Sequence, residues 1–223
     1  MTHEAPRPET ATTGAALDLE RYVEGLFAGE DDLLVEIRRE SEGRGFPRIH
    51  VPPVTGRALQ LLLKAKGARR VLEVGTLTGY SAVWMARALP SDGRLLTLEA
   101  DSAAAEAARS FLAKGGLEDR VEVREGRAQE LLPELEGGAY DAIFLDADKA
   151  GLVRYADEAA RLLAPGGLLL ADNALWKGRV VEPDRMDDDT RAVHQFNVRM
   201  AEDERYDATV LPVGDGVLTA LRR

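Results

Sequence analysis

Ala142-Ile143-Phe144-Leu145-Asp146-Ala147-Asp148-Lys149 is an apolar run that breaks abruptly into charge, and Leu168-Leu169-Leu170-Ala171-Asp172-Asn173 repeats the pattern farther along the chain. Short apolar runs of this kind read as strands buried on both faces of a sheet. As neighbouring parallel strands, they bring Asp146, Asp172 and Asn173 side by side at their carboxyl ends. Three oxygen ligands at one point suit a hard divalent cation such as Mg²⁺. Open α/β sheets bind ligands at that same edge, and Lys149 lies beside it.

Outward from these two runs the chain alternates strand and helix. Strands are predicted at Val71–Val74, Leu95–Leu98, Val121–Arg124, Ala142–Leu145 and Leu168–Ala171. Helices are predicted at Tyr80–Leu89, Ser102–Lys114, Ala128–Glu136 and Leu152–Leu163, with Gly166-Gly167 turning into the fifth strand. This alternation implies a parallel sheet with helices on both faces. Three helices precede it: one carrying Leu19, Tyr22, Val23, Leu26 and Phe27, one over Asp31–Glu42, and one over Thr55–Lys66. After the fifth strand comes a loop over 174–187, long enough to be functional. Asp187 to Thr190 then cap a helix with Val193, Phe196 and Met200 on one face. Ala208–Val213 and Val217–Leu221, joined by Gly214-Asp215-Gly216, read as an antiparallel hairpin. Residues 1–16, with Pro6 and Pro8, look like an unanchored terminus. Residues 17–223 then form a single domain.

Composition narrows the function. The 223 residues carry a net charge of -10, which disfavours nucleic acid and anionic membrane surfaces as partners. No apolar run approaches the ~20 residues of a membrane span. No signal-peptide pattern is read, so a cytoplasmic protein is expected. Without cysteine there is no disulfide, thiolate metal site or thiol nucleophile. The three histidines, His3, His50 and His194, match no zinc spacing. His194, on the helix after residue 187, reads as structural.

Glu73-Val74-Gly75-Thr76-Leu77-Thr78-Gly79-Tyr80-Ser81 joins the first strand to its helix. Its glycines are spaced Gly-x-x-x-Gly, and Leu77 stands where a dinucleotide fingerprint needs its middle glycine for the pyrophosphate. No Gly-Lys-Ser/Thr follows, so a P-loop is excluded. Glu99 ends the second strand, where such folds place the acid that binds ribose hydroxyls. The pair suggests an adenosine ligand without a pyrophosphate. Glu73 sits inside an apolar strand and is costly there unless hydrogen-bonded, which favours a role in organising the loop or the ligand.

Val71 to Ser81, Phe144 to Lys149, Asp172-Asn173-Ala174-Leu175-Trp176 and Leu211-Pro212-Val213-Gly214-Asp215-Gly216 together resemble the cation-dependent O-methyltransferases. These are the catechol and caffeoyl-CoA type enzymes and their small bacterial relatives. The likeness runs over residues 20–223 in the family's order. It implies a class I S-adenosylmethionine-dependent methyltransferase fold of Rossmann-like type: seven strands, mostly parallel, with the antiparallel hairpin at the end. It also implies a divalent metal, Mg²⁺ or alternatively Mn²⁺ or Ca²⁺, held by Asp146, Asp172 and Asn173. The same likeness implies cofactor contacts at Val51, Glu73, Gly75, Thr76, Ser81, Glu99, Ala128 and Asp148. Lys149 matches the lysine treated as general base in the catechol enzymes. A homodimer and a small phenolic substrate follow from the same likeness.

Two departures bear on the acceptor. Lys177 stands where the plant caffeoyl-CoA enzymes carry an asparagine that helps bind substrate, and His50-Val51-Pro52-Pro53 replaces the commoner Gln-Val-Ser-Pro. Trp176 reads as one wall of the substrate pocket. The expected function is methylation of one hydroxyl of a vicinal diphenol, with free catechols, hydroxycinnamoyl-CoA esters and flavonoids all open as acceptors. A nucleotide-dependent oxidoreductase is disfavoured by the missing middle glycine and the metal triad. A non-catalytic adenosine-ligand sensor is disfavoured by the triad with Lys149.

Overall fold

The computed structural model describes residues 13–182 and 187–223. Three helices come first: α1 (Thr13–Phe27), α2 (Asp32–Gly43) and α3 (Pro53–Lys66). Local chemistry sets their ends. The Asp31 side chain accepts from Leu34 N at 3.1 Å to cap α2. Pro53 occupies the first turn of α3, and Gly67, at φ 67, ends it. The alternating part follows as β1 (Arg70–Val74), α4 (Tyr80–Ala86), β2 (Arg94–Glu99), α5 (Ser102–Lys114), β3 (Val121–Glu125), α6 (Ala128–Leu131), β4 (Tyr140–Leu145), α7 (Leu152–Leu162) and β5 (Leu163–Ala171). Helix α8 (Asp188–Glu202) and the hairpin β6 (Tyr206–Leu211) and β7 (Val217–Arg222) close the chain.

The strands form one seven-stranded sheet in the order β3-β2-β1-β4-β5-β7-β6. β1 to β5 are parallel to their neighbours, and β7 joins β5 antiparallel. This is the expected architecture. The order reverses between β1 and β4, the switch point where such sheets open a crevice.

Alternate strand residues feed opposite faces. Val71, Ala142, Phe144, Leu168 and Leu170 pack with α2 to α5 on one side. Leu72, Val74, Ile143, Leu145, Leu169 and Ala171 pack with α7 and α8 on the other. Burial on both faces explains the uninterrupted apolar runs. Among the described residues, no helix is long and apolar enough to cross a membrane.

Several boundaries differ from the sequence expectation. α1 begins at Thr13, so residues 13–16 belong to a helix, while 1–12 lie outside the described residues. α4 stops at Ala86, ahead of Pro90. α6 gives way after Leu131 to a 3₁₀ turn over Leu132–Glu134, because Pro133 has no N–H to continue an α-helix. β5 begins at Leu163, before the glycine pair: Leu163 pairs with Tyr140, and a register shift absorbs the irregularity before Leu168 pairs with Ala142. The hairpin strand β6 runs Tyr206–Leu211, where Ala208–Val213 was expected. Within the loop after β5, Trp176–Val181 is a short helical stretch broken by a kink at Lys177 and Gly178, and 183–186 lie outside the described residues.

Gly75 shows how tightly the switch point is built. Its φ is 95, and a Cβ there would lie 1.9 Å from the Asp146 carbonyl oxygen. Backbone, not a flexible side chain, occupies that space. Left-handed strain alone costs roughly 1–3 kcal/mol at a non-glycine residue. Gly75→Ala is therefore expected to destabilise the fold by more than about 2 kcal/mol, read as a lowered urea midpoint with unchanged m-value.

Candidate active site

Sheet register lines up the ends of four strands. Val74 pairs with Leu98 and with Leu145, and Leu145 pairs with Ala171. The residues one step beyond the pairs are Gly75, Glu99, Asp146 and Asp172. Three further backbone bonds hold this row: Gly75 N to Leu98 O at 3.0 Å, Asp146 N to Val74 O at 2.8 Å and Asp172 N to Leu145 O at 3.1 Å. Neighbouring strands lie about 4.8 Å apart, so the backbones of Asp146 and Asp172 are adjacent in this row.

Above the row opens a cavity of about 1000 Å³. Val51, Gly75, Thr76, Ser81, Glu99, Ala128, Asp146, Asp148, Lys149, Asp172, Asn173, Trp176 and Lys177 all line it. Glu73 does not. It is fully buried beneath the glycine loop, on the face it shares with Val71.

The cavity has two ends. At one, Glu99 clamps the glycine loop: its Oε2 accepts from Leu77 N at 2.7 Å and Thr76 N at 3.2 Å, and its Oε1 from Asp101 N at 2.8 Å. A carboxylate has about four lone-pair sites, so capacity remains for a ligand diol. Leu77 itself is at φ 48. Beneath this end, Ser81 donates to Glu73 Oε1 at 2.5 Å and Thr97 to Glu73 Oε2 at 2.6 Å. Burial pushes the Glu73 carboxyl up to about 8, and the two hydroxyl donors pull against that rise. Opposite, Asp148 Oδ1 accepts from Tyr155 at 2.6 Å.

At the other end Lys149 Nζ donates to Asn173 Oδ1 at 2.7 Å and lies 3.7 Å from Asp146 Oδ1. Its ammonium also sits 5.4 Å from the centre of the Trp176 ring, a cation–π contact. Burial pushes Asp172 up to about 7, and the charge of Asp146 adds to the rise. Asp146 is raised as well, by burial, against the pull of Lys149. Asp172 Oδ1 is buried with no hydrogen-bond partner. Two crowded carboxylates, an orphaned oxygen and an amide carbonyl turned inward form an all-oxygen donor set, and such a set fits a hard divalent cation. Trp176 and Lys177 have φ of 47 and 54, each costing roughly 1–3 kcal/mol that the surrounding contacts offset.

The structure adds residues that the sequence reading left without a role. Ser41 Oγ donates to Ile37 O at 2.5 Å, so its single proton is spent. Thr78 must then donate to Ser41 at 2.6 Å, and His50 Nε2 to Thr78 at 2.8 Å. This relay ties α2 to the glycine loop. Burial and Arg38 push His50 down to about 4, consistent with a neutral ring that donates through Nε2. The glycine spacing of the loop and the helical pattern of α2 gave no hint that Thr78, Ser41 and His50 meet. Tyr80 lines the cavity and donates to Glu30 Oε1 at 2.8 Å.

Glu73 makes stability depend on pH. Below the ordinary carboxyl range both folded and unfolded chains hold its proton. Above that range the unfolded chain ionises while the folded one keeps the proton to about 8, so stability is lost as pH rises through this interval. Glu73→Gln removes that titration. Its melting temperature relative to wild type is expected to rise between pH 5 and pH 8, as followed by scanning calorimetry of both proteins.

Comparison with known proteins shows the family. A family model described as O-methyltransferase matches residues 25–223. A relative from Niastella koreensis, named catechol O-methyltransferase, is 40% identical over 86% of this chain and 89% of its own length. The O-methyltransferase of Bacillus cereus, solved in complex with SAH, superposes with a TM-score of 0.86 at 35% identity, covering 92% of this chain and 97% of that one. The O-methyltransferase TomG of Streptomyces achromogenes, solved with SAM, gives a TM-score of 0.84 at 35% identity, over 92% of this chain and 96% of that one. With its glycine loop, strand-end carboxylates and lysine gathered in one cavity, the chain belongs to the O-methyltransferase family.

Proposed function

We propose that the protein transfers a methyl group from S-adenosylmethionine to one hydroxyl of a vicinal diphenol, with a divalent cation held by Asp146, Asp172 and Asn173. The observation that carries this reading is the orphaned, buried Asp172 Oδ1 beside Asp146, in the same cavity as the glycine loop. The name of the Niastella koreensis relative supports a catechol-like acceptor. The SAH and SAM in the two solved neighbours support the cofactor.

The chemistry divides between the two ends of the cavity. S-adenosylmethionine supplies an electrophilic methyl on a sulfonium. A phenol is a weak nucleophile near neutral pH, since its pKa is about 10. When bound, the cation acts as a Lewis acid that favours the phenolate and fixes its direction. Glu99 offers a carboxylate for the ribose hydroxyls, and the Gly75 backbone permits close approach of the cofactor. Lys149, held against Asn173 and Trp176, is the base in this reading and takes the phenol proton as the neutral amine, because an ammonium has no free lone pair. Trp176 forms one wall for the aromatic ring of the acceptor. Holding nucleophile and methyl in line supplies much of the rate.

Leu77, where a dinucleotide fold needs glycine, disfavours the oxidoreductase alternative. We also infer a homodimer. Leu19, Tyr22, Leu26 and Phe27 on α1 are each about three-fifths exposed, an apolar stripe suited to self-association.

Excess chelator is expected to abolish methyl transfer to catechol, and added Mg²⁺ or Mn²⁺ to restore it. Full turnover by protein shown metal-free by elemental analysis would refute the metal assignment.

Lys149→Met is expected to lower kcat by about 10²–10⁴-fold, the usual reach of a general base, with little change in cofactor affinity. Steady-state kinetics at saturating cofactor and metal give the answer. A loss under about tenfold with an unmoved pH profile would leave Lys149 a positioning role only.

A further inference from the structure

Asp215 lies in the turn between β6 and β7, outside the donor set described above, yet its carboxylate reaches both halves of the acceptor end. Its Oδ2 accepts from Asn173 Nδ2 at 3.4 Å, and its Oδ1 accepts from Lys177 N at 2.5 Å. Its backbone carbonyl accepts from Leu175 N, and that of Gly216 from Ala174 N, both at 2.9 Å. The turn has no slack. A Cβ on Gly216 would lie 2.9 Å from Leu175 N, and one on Gly214 2.3 Å from Thr55 Oγ1.

The Asn173 amide is asymmetric, and its surroundings are asymmetric in the same sense. Nδ2 faces two carboxylates, Asp172 at 3.3 Å and Asp215, while Oδ1 faces the Lys149 ammonium. A flipped amide would aim its oxygen at two anions and its NH₂ at a cation. The arrangement therefore turns Oδ1, the atom able to ligate a cation, toward the Lys149 ammonium, which itself lies 3.7 Å from Asp146 Oδ1. The second contact acts on the loop. Trp176 and Lys177 hold consecutive left-handed conformations, and the Lys177 amide is fixed by the Asp215 carboxylate.

We propose that Asp215 is a positioning residue that orients the Asn173 amide for the cation and, through Lys177 N, holds Trp176 as the wall of the acceptor pocket. The inference rests on the cation assignment made above. It gives the antiparallel hairpin a part in the chemistry: the hairpin delivers one carboxylate to two neighbours at once. Cofactor binding, at the far end of the cavity, is independent of Asp215.

The test compares wild type with Asp215→Asn and Asp215→Ala. Mg²⁺ affinity is measured by calorimetry on cofactor-loaded protein without acceptor. Hydrogen exchange is followed over 174–182 in metal-free protein, and KM for catechol, kcat and S-adenosylmethionine affinity are determined separately. An asparagine keeps one acceptor oxygen but cannot serve both donors as a carboxylate does. Asp215→Asn is therefore expected to weaken Mg²⁺ by about 10-fold and Asp215→Ala by up to about 100-fold, the usual reach of partners that orient metal ligands. Exchange over 174–182 and the KM for catechol should rise in the same order, with cofactor affinity unmoved.

Mg²⁺ affinity and exchange unchanged in both variants, with wild type binding Mg²⁺, would overturn the inference alone. Equal loss of cofactor and Mg²⁺ affinity with a collapsed melting temperature in Asp215→Asn would also overturn it, as the sign of a merely structural residue. A wild type that binds no Mg²⁺ would overturn the cation assignment and this inference with it.

Discussion

Everything at the site hangs on the ladder bonds that extend the parallel sheet one residue past its strands. Asp146 N to Val74 O and Asp172 N to Leu145 O fix the backbone of both carboxylates to the sheet itself. A parallel ladder spaces neighbouring chains at about 4.8 Å, and that spacing, not any flexible loop, sets the distance between the two acids. Gly75 occupies the next place in the row, close enough to the Asp146 carbonyl that no side chain fits. The two ends of the cavity, around Glu99 and around Lys149, are therefore registered to each other through main-chain bonds. A direct displacement needs that registration, since its reacting atoms must meet in line.

The same row concentrates charge at a place where burial disfavours it. Glu73, Asp146 and Asp172 all have carboxyls driven upward by desolvation. The protein handles them differently. Glu73 is given two hydroxyl donors and sealed away, so it serves as a support under Ser81 and Thr97. Asp172 is left with an oxygen that has no partner. A structural acid would have been satisfied, because leaving a buried acceptor bare costs about 1–3 kcal/mol. The unsatisfied oxygen is the observation behind the proposal that Asp172 is a cation ligand, and Lys149 supplies an opposing charge.

The Lys149 end of the cavity is assembled from pieces far apart in sequence. β4 contributes Asp146, β5 contributes Asp172 and Asn173, and the β6–β7 turn contributes Asp215. The left-handed backbone at Asn173, Trp176 and Lys177 persists because these pieces hold it from several sides. On the opposite wall the His50–Thr78–Ser41 relay fastens α2 to the glycine loop. Both devices rigidify loops at the rim of a sheet whose own strands are already fixed.

Much of this was legible in the chain. Unbroken apolar runs ending in Asp146 and Asp172 gave the parallel strands, because burial on both faces removes alternation. The glycine loop and Glu99 were legible as neighbours at one edge, because each stands at a strand terminus, and the two meet there. Pro133 marked where α6 fails, but the extension of β5 back to Leu163 was hidden, since it depends on pairing with Tyr140 through a register shift. The burial of Glu73 away from the cavity and the reach of Asp215 to Asn173 and Lys177 were equally hidden. The sequence by itself determined which strands form and which acids stand at their ends, because strand burial and strand termini are local in the chain. Only the tertiary structure decided which way Asn173 points, where Trp176 stands and what Asp215 does, because those follow from hydrogen bonds between segments brought together by the sheet order.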